Sequence, residues 1–213
     1  MIISSYTYSI NFKERIEEKL KSDTFCGDSW SDNDISDIRD SIKQFYIHEQ
    51  EFTCPYCMQI TRSNNGRMWD IEHIIPRENE KNFMFSAENL CVACPDCNNR
   101  KGATRVSTSK ATKILPTRSD LYLIIHPHFD EYSQHIEVIK PGAFYVAKTK
   151  KGEKTIGICG LNRFYEYAGY SQEVTSDNLI LQLANALTNA QTEQEKRQIR
   201  RDLAFAALKS NVI

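Results

Sequence analysis

Apolar positions recur at three- and four-residue steps in two stretches near the start of the chain, 11–21 and 34–49, and both read as helices. In the second, Ile35, Ile38, Ile42 and Phe45 fall on one face. Asp32 or Asp34 is placed to cap it, where a carboxylate also suits the helix dipole. The pattern changes after residue 50. "RSNNGRM" at 62–68 contains Asn65-Gly66, a strong hairpin-turn signal, and "MWDIEHII" alternates well enough for the return strand. From "SAENL" a loop is expected to lead into a cysteine-rich run, with "CNNRK" opening a short helix. Further on, "DLYLII" and "HIEVIK" read as strands, and "AFYVAK" and "KTIGIC" as a hairpin turning at Lys151-Gly152. Leu179, Ile180, Leu183 and Leu187 share a helical face, and Thr192 with Glu195 has the form of a capping box for a last helix near 193–209. The pattern predicts an α+β protein in three parts: an N-terminal helical segment at 1–50, a central core with a basic strip at 51–118, and a C-terminal α+β region at 119–213.

Composition narrows the class. The 213 residues are ordinary in apolar and charged content, which excludes disordered and collagen-like chains. No apolar run approaches a membrane span, and the start, "MIISSYTYSINFKERIEEK", lacks the cationic flank and apolar block of a secretory signal, so a cytoplasmic location is expected. In a reducing compartment seven closely spaced cysteines point to metal rather than to disulfides. The net charge of −1 conceals an asymmetry. Residues 23–40 carry six aspartates against Arg39 alone, whereas 98–118 carry six Lys/Arg and no acid. Such a strip can follow a phosphate backbone without making the whole protein basic.

The chemistry concentrates between 54 and 101. Cys54-x-x-Cys57 and Cys94-x-x-Cys97 offer four thiolates in two tight turns, the usual donor set for tetrahedral zinc in a treble-clef-like site. Cys91 and Cys94 have the same spacing, but Cys94/Cys97 sit immediately before the expected helix and Cys91 falls where an apolar residue would pack. Between the pairs, "DIEHIIP" sets a carboxylate beside a histidine on an expected strand. Hydrolysis of a phosphodiester needs an activated water and a Lewis acid for the charge on the leaving oxygen. His73 can take the proton, while Glu72 and Asn98 supply hard oxygens for Mg²⁺ or Mn²⁺. On a regular strand Glu72 and His73 would face opposite sides. Either the strand bulges or ends there, as nearby Pro76 favours, or Asp70 replaces Glu72 as the ligand.

The order CxxC, acidic residue-His-Ile-x-Pro, Asn-Leu and CxxC-Asn-x-x-Lys resembles the HNH endonucleases with a ββα-metal core. It is carried here by Cys54/Cys57, Glu72-His73-Ile74-Ile75-Pro76, Asn89-Leu90 and Cys94/Cys97-Asn98-x-x-Lys101. The resemblance implies His73 as general base, Asn89 as the brace that orients it, and Asn98 as a metal-binding residue in place of a final histidine. It also implies zinc on Cys54, Cys57, Cys94 and Cys97, and a catalytic ion on Glu72 and Asn98. Arg100, Lys101 and Arg105 are then expected to hold the nucleic-acid backbone, DNA before RNA. A looser likeness of "HPHFDEYSQHIEVI" and "TIGICGLNR" to the HNH proteins of retron and Septu-type antiviral systems implies an ATPase partner. The rival reading is a zinc-stabilised adaptor that binds nucleic acid or protein and cuts nothing. His126, His128 and Asp130 have metal-friendly spacing but are expected to pin the turn after "DLYLII".

Overall fold

The helix Ser36–Glu49 packs against the first pair of strands, and a second strand pair is tied to the first cysteine turn through Tyr145. The computed structural model describes residue 2 and residues 4–63, 65–164 and 178–210; the rest of the expected C-terminal region lies outside the described residues. Helix α1 spans Ile10–Leu20, its start capped by the Ser9 hydroxyl, which accepts from the Phe12 N–H. Helix α2 spans Ser36–Glu49 and buries Ile38, Ile42, Tyr46 and Ile47, with Phe45 half-buried. Each fully buried isoleucine contributes roughly 1.5–3 kcal/mol through lost apolar exposure. Neither Asp32 nor Asp34 caps α2: Ile35 holds the cap position, and both carboxylates are drawn instead to Lys19 Nζ, at 2.8 and 2.9 Å.

The expected hairpin across Asn65-Gly66 does not form. The Asn65 side chain accepts from the Arg67 N–H and caps a short 3-10 turn, Gly66–Met68. Strand β1, Asp70–His73, pairs antiparallel with β2, Leu90–Ala93, in the stretch expected to be a loop. Four consecutive buried residues make β2 a strand without alternation. The Gln50 amide completes it, giving and taking 2.8 Å bonds with Val92 O and N as a neighbouring strand would. Helix α3, Pro95–Lys101, follows directly, with Pro95 in its first turn. It stops at Gly102, whose φ of +46° suits glycine. The order β1, β2, α3 is the expected ββα unit.

"DLYLII" makes no strand; it contributes a 3-10 turn and an isolated bridge from Tyr122 to Ser107. After the single-turn α4, Tyr132–His135, strands β3 (Ile136–Lys140) and β4 (Phe144–Ala147) form the second hairpin. "KTIGIC" belongs to helix α5, Lys150–Ile158, rather than to a strand, because the Thr149 hydroxyl caps it by accepting from Gly152 N–H. Gly152 therefore makes no hairpin turn; a Cβ there would lie 2.0 Å from His135 O, so only glycine permits the approach. Helices α6 (Asn178–Asn189) and α7 (Glu193–Ser210) pack together. Thr192 and Glu195 form the reciprocal cap expected from the sequence. In α6, Leu181 is buried and Ile180, Leu183 and Leu187 are half-buried, while Leu179 of the expected face is 55% exposed. One apolar core runs from Ile2 through Ile38, Trp69, Leu90 and Tyr145 to Leu161. Among the described residues no helix is long and apolar enough to cross a membrane.

Candidate active site

The two CxxC turns converge. The sulfurs of Cys54, Cys57, Cys94 and Cys97 all lie within 4.8 Å of one another. Cys57 and Cys94 are 3.8 Å apart, which is the edge of a tetrahedron with bonds of about 2.3 Å to a central zinc. Four such thiols cannot all ionise unaided. Contact with the Cys54 sulfur pushes the Cys57 and Cys97 thiols far up and pulls Cys94 down. A divalent cation is what lets all four serve as thiolates, so the cluster can hold zinc. Its surroundings favour that charge: the Cys94 N–H points at Cys54 Sγ (3.4 Å), and buried Arg163 approaches Cys97 Sγ at 4.0 Å while gripping Asp96 at 2.9 Å. The C-terminal region holds the first turn, with Tyr145 of β4 and Tyr132 of α4 donating to Cys57 O and Tyr56 O. Cys91 lies in β2 opposite Glu72, buried and outside the cluster.

A cavity of about 230 Å³ is lined by Glu72, His73, Arg77, Glu78, Asn98 and Asn99 among others. His73 ends β1, and no bulge precedes it. The strand stops at the cavity, so both neighbours reach its wall despite pointing to opposite faces. The His73 ring is 6% exposed and meets the Trp30 ring edge-on at 4.5 Å. Its Nε2 lies 3.1 Å from Met84 O. A carbonyl only accepts, so Nε2 carries the proton and Nδ1 is left as the basic nitrogen. Burial, aided by the nearby charges of Arg77 and Lys101, lowers the His73 pKa to about 3, so the ring is neutral at pH 7.

Asn89 braces the loop behind it. Fully buried, it accepts from the Ile75 N–H (2.7 Å) and donates to Ile75 O and Phe83 O (both 3.1 Å). These bonds tie both ends of the 75–83 loop to the start of β2 and so fix the Met84 carbonyl that orients His73. Asn98, half-buried on α3, donates its amide to Asp70 Oδ2 at 2.9 Å. That bond commits the NH₂ to Asp70 and leaves Oδ1 as the amide's acceptor. Glu72 is 3% exposed; Lys101 Nζ at 2.5 Å and the Tyr56 hydroxyl at 3.1 Å both contact the same oxygen, Oε1. Burial raises its pKa against the opposing pull of Lys101.

Lys101 corrects one expectation. It is 1% exposed, pairs with Glu72 and donates to His73 O at 2.9 Å, so it holds the end of β1 and does not reach a nucleic acid. Arg100 and Arg105 are exposed; the Arg100 stem lies over Gly160 and Arg105 Nε donates to Ser107 O. Sequence reasoning missed Arg77 and Trp30 as parts of the site. Arg77 directly follows "HIIP" and could have been found there; nothing local marks Trp30, which arrives from more than forty residues upstream. His126, His128 and Asp130 do pin a turn: Asp130 accepts from His126 N–H (2.7 Å) and His128 Nε2 reaches Leu90 O (2.8 Å).

Part of this chain resembles known proteins. Residues 54–104 match the HNH endonuclease family model. The matched segment takes in both CxxC turns, β1, the Asn89 brace, β2 and α3. The Septu protein PtuB of Bacillus thuringiensis is 28% identical over 124 residues, covering 57% of this chain and 41% of that protein. The chain thus aligns with less than half the length of this relative. No solved structure matches it.

Proposed function

We propose that the chain is a metal-dependent HNH endonuclease that hydrolyses phosphodiesters, DNA before RNA. The observation that carries this reading is the cavity where His73, Glu72 and Asn98 meet beside a four-cysteine cluster. His73 is the general base: with Nε2–H held by Met84 O, Nδ1 takes the proton of the attacking water. Asn89 keeps the ring in that tautomer by fixing the loop that carries Met84. The donors fit a hard cation: Glu72 retains Oε2, and Asn98 presents Oδ1. Asp70 is spent on orienting Asn98 and does not line the cavity, which favours Glu72 as the acidic ligand. When bound there, Mg²⁺ or Mn²⁺ supplies Lewis-acid stabilisation of the charge that develops on the leaving oxygen. Zinc at the cysteines is structural, joining the Cys54–Cys57 turn to the start of α3. Arg100 and Arg105 steady the flanking backbone without reading sequence.

The PtuB relative extends the proposal to biology: the chain serves as the effector nuclease of an antiviral defence system, beside an ATPase partner. Incubation of the purified chain with plasmid and Mg²⁺ or Mn²⁺, with and without a proposed partner, tests the chemistry. Nicked or linear plasmid that disappears with EDTA supports it. Intact plasmid under every condition, with the partner and ATP included, favours the adaptor reading instead.

A further inference from the structure

We propose that Arg77 grips a non-bridging oxygen of the phosphate being cleaved, and that Glu78 holds its guanidinium ready until the phosphate displaces it. This rests on the nuclease reading above. Arg77 and His73 line the same cavity, and Arg77 is the cation among the residues that line it. Three other cations close in sequence are not among the residues that line it. Lys101 is locked to Glu72 and His73 O, Arg105 bonds Ser107 O, and the Arg100 stem rests over Gly160.

The placement of Arg77 is built rather than incidental. The N–H groups of Asn79 and Glu80 both donate to Pro76 O, at 2.9 and 3.0 Å, closing a turn with Arg77 at its first inner position. Gly27 packs against the other side, where a Cβ would come within 3.7 Å of Arg77 Cγ. Yet Arg77 Nε is buried and makes no hydrogen bond. Glu78 Oε1 lies 3.4 Å from it, an ion-pair contact with a carboxylate that is half exposed. A buried guanidinium N–H left unbonded is costly, and a loosely placed carboxylate does little to relieve it. A phosphate oxygen is the better partner, because the planar fork matches phosphate geometry and the cavity wall limits screening by water. The grip strengthens as negative charge builds on the phosphate, which makes it catalytic as well as attractive.

Three variants test this: Arg77→Ala, Arg77→Lys and Glu78→Gln, each checked for unaltered zinc content and circular dichroism. Affinity for a short fluorescein-labelled DNA duplex is read by anisotropy in EDTA, and kcat and KM are read with Mg²⁺. Arg77→Ala is expected to lower kcat about a hundredfold, by analogy with loss of one oxyanion donor. It should also weaken duplex binding several-fold and flatten its salt dependence by about one ion. Arg77→Lys should recover part of the binding and little of kcat. Glu78→Gln should tighten binding, since it removes the competing carboxylate. Should Arg77→Ala cut as fast as a wild type that does cut, Arg77 has no such role and the nuclease reading stands. Where the wild type cuts nothing even with the partner and ATP present, the nuclease reading fails and the catalytic role of Arg77 fails with it; unchanged duplex affinity in Arg77→Ala overturns the phosphate contact in either case.

Discussion

His73 and His126 occupy environments that look alike by burial and differ in everything that chemistry needs. Both rings are almost wholly inaccessible, and burial drives both pKa values down, so both are neutral at pH 7. His126 stacks on Phe129 at 4.1 Å, has Tyr122 at 4.3 Å, and leaves a buried Nε2 with no hydrogen-bond partner. Its backbone N–H is tied to Asp130, which Lys151 holds at 2.9 Å, so the turn behaves as a peg between the C-terminal region and the core. His73 has one nitrogen fixed by a carbonyl and shares a cavity with a carboxylate, an amide and a guanidinium. A depressed pKa alone therefore identifies no site; a depressed pKa at the wall of a polar cavity does.

The largest effect expected from breaking the site is at the four-cysteine cluster. Replacing Cys54 and Cys97 together by serine should abolish zinc binding and unfold the 51–104 region, since a structural zinc contributes roughly 10–16 kcal/mol in small domains. Metal analysis and thermal unfolding check this; a folded variant with full zinc content would refute the cluster's role. Next is the ion pair beneath β1. Lys101→Met strands a buried Glu72 carboxylate and should cost about 3–5 kcal/mol in chemical denaturation, relieved in part by adding Glu72→Gln. A loss below ~1 kcal/mol would show that the pair is solvated rather than buried.

The smallest effect belongs to the peg. His126→Phe keeps the stacking on Phe129, removes the unsatisfied Nε2 and loses the 3.3 Å bond from His128 N–H, so stability at pH 7 should change by no more than about 1 kcal/mol. Its pH dependence is the sharper readout. Because the folded pKa of His126 lies well below 6.5, the unfolded chain takes up a proton first as pH falls below about 6.5, and stability is lost from there downward. His126→Phe removes that contribution and should flatten the loss of stability as pH falls below about 6.5. An unchanged slope would mean that His126 is protonated in the folded protein.

Local pattern revealed the parts of this molecule whose signals are local. The capping box at Thr192 and Glu195, the stripe of α2 and the two CxxC turns needed only neighbouring residues to be read. Strand pairing was not so legible. Asn65-Gly66 advertises a hairpin, but β1 finds its partner about twenty residues further on, in a buried run that Gln50 completes from just beyond α2. "KTIGIC" is short and apolar, and such runs fit helix or strand until the Thr149 cap decides. Within the site, the residues of the "EHIIP" and "CNNRK" segments were legible as a set. Their division of labour was not. That Lys101 turns inward to Glu72, or that Asp70 spends itself on the Asn98 amide, depends on contacts across twenty-eight or more positions that no spacing rule reports.

The central claim is that the neutral imidazole at the end of β1 accepts the proton of the attacking water. Single-turnover cleavage by His73→Ala, with His73→Asn beside it as the closer match in size, tests this directly in variants shown to keep zinc and fold. A rate lowered by at least 10²-fold, within the ~10²–10⁴ range of general-base loss, is the predicted result. Cleavage at the wild-type rate by either variant would contradict it and move the base elsewhere.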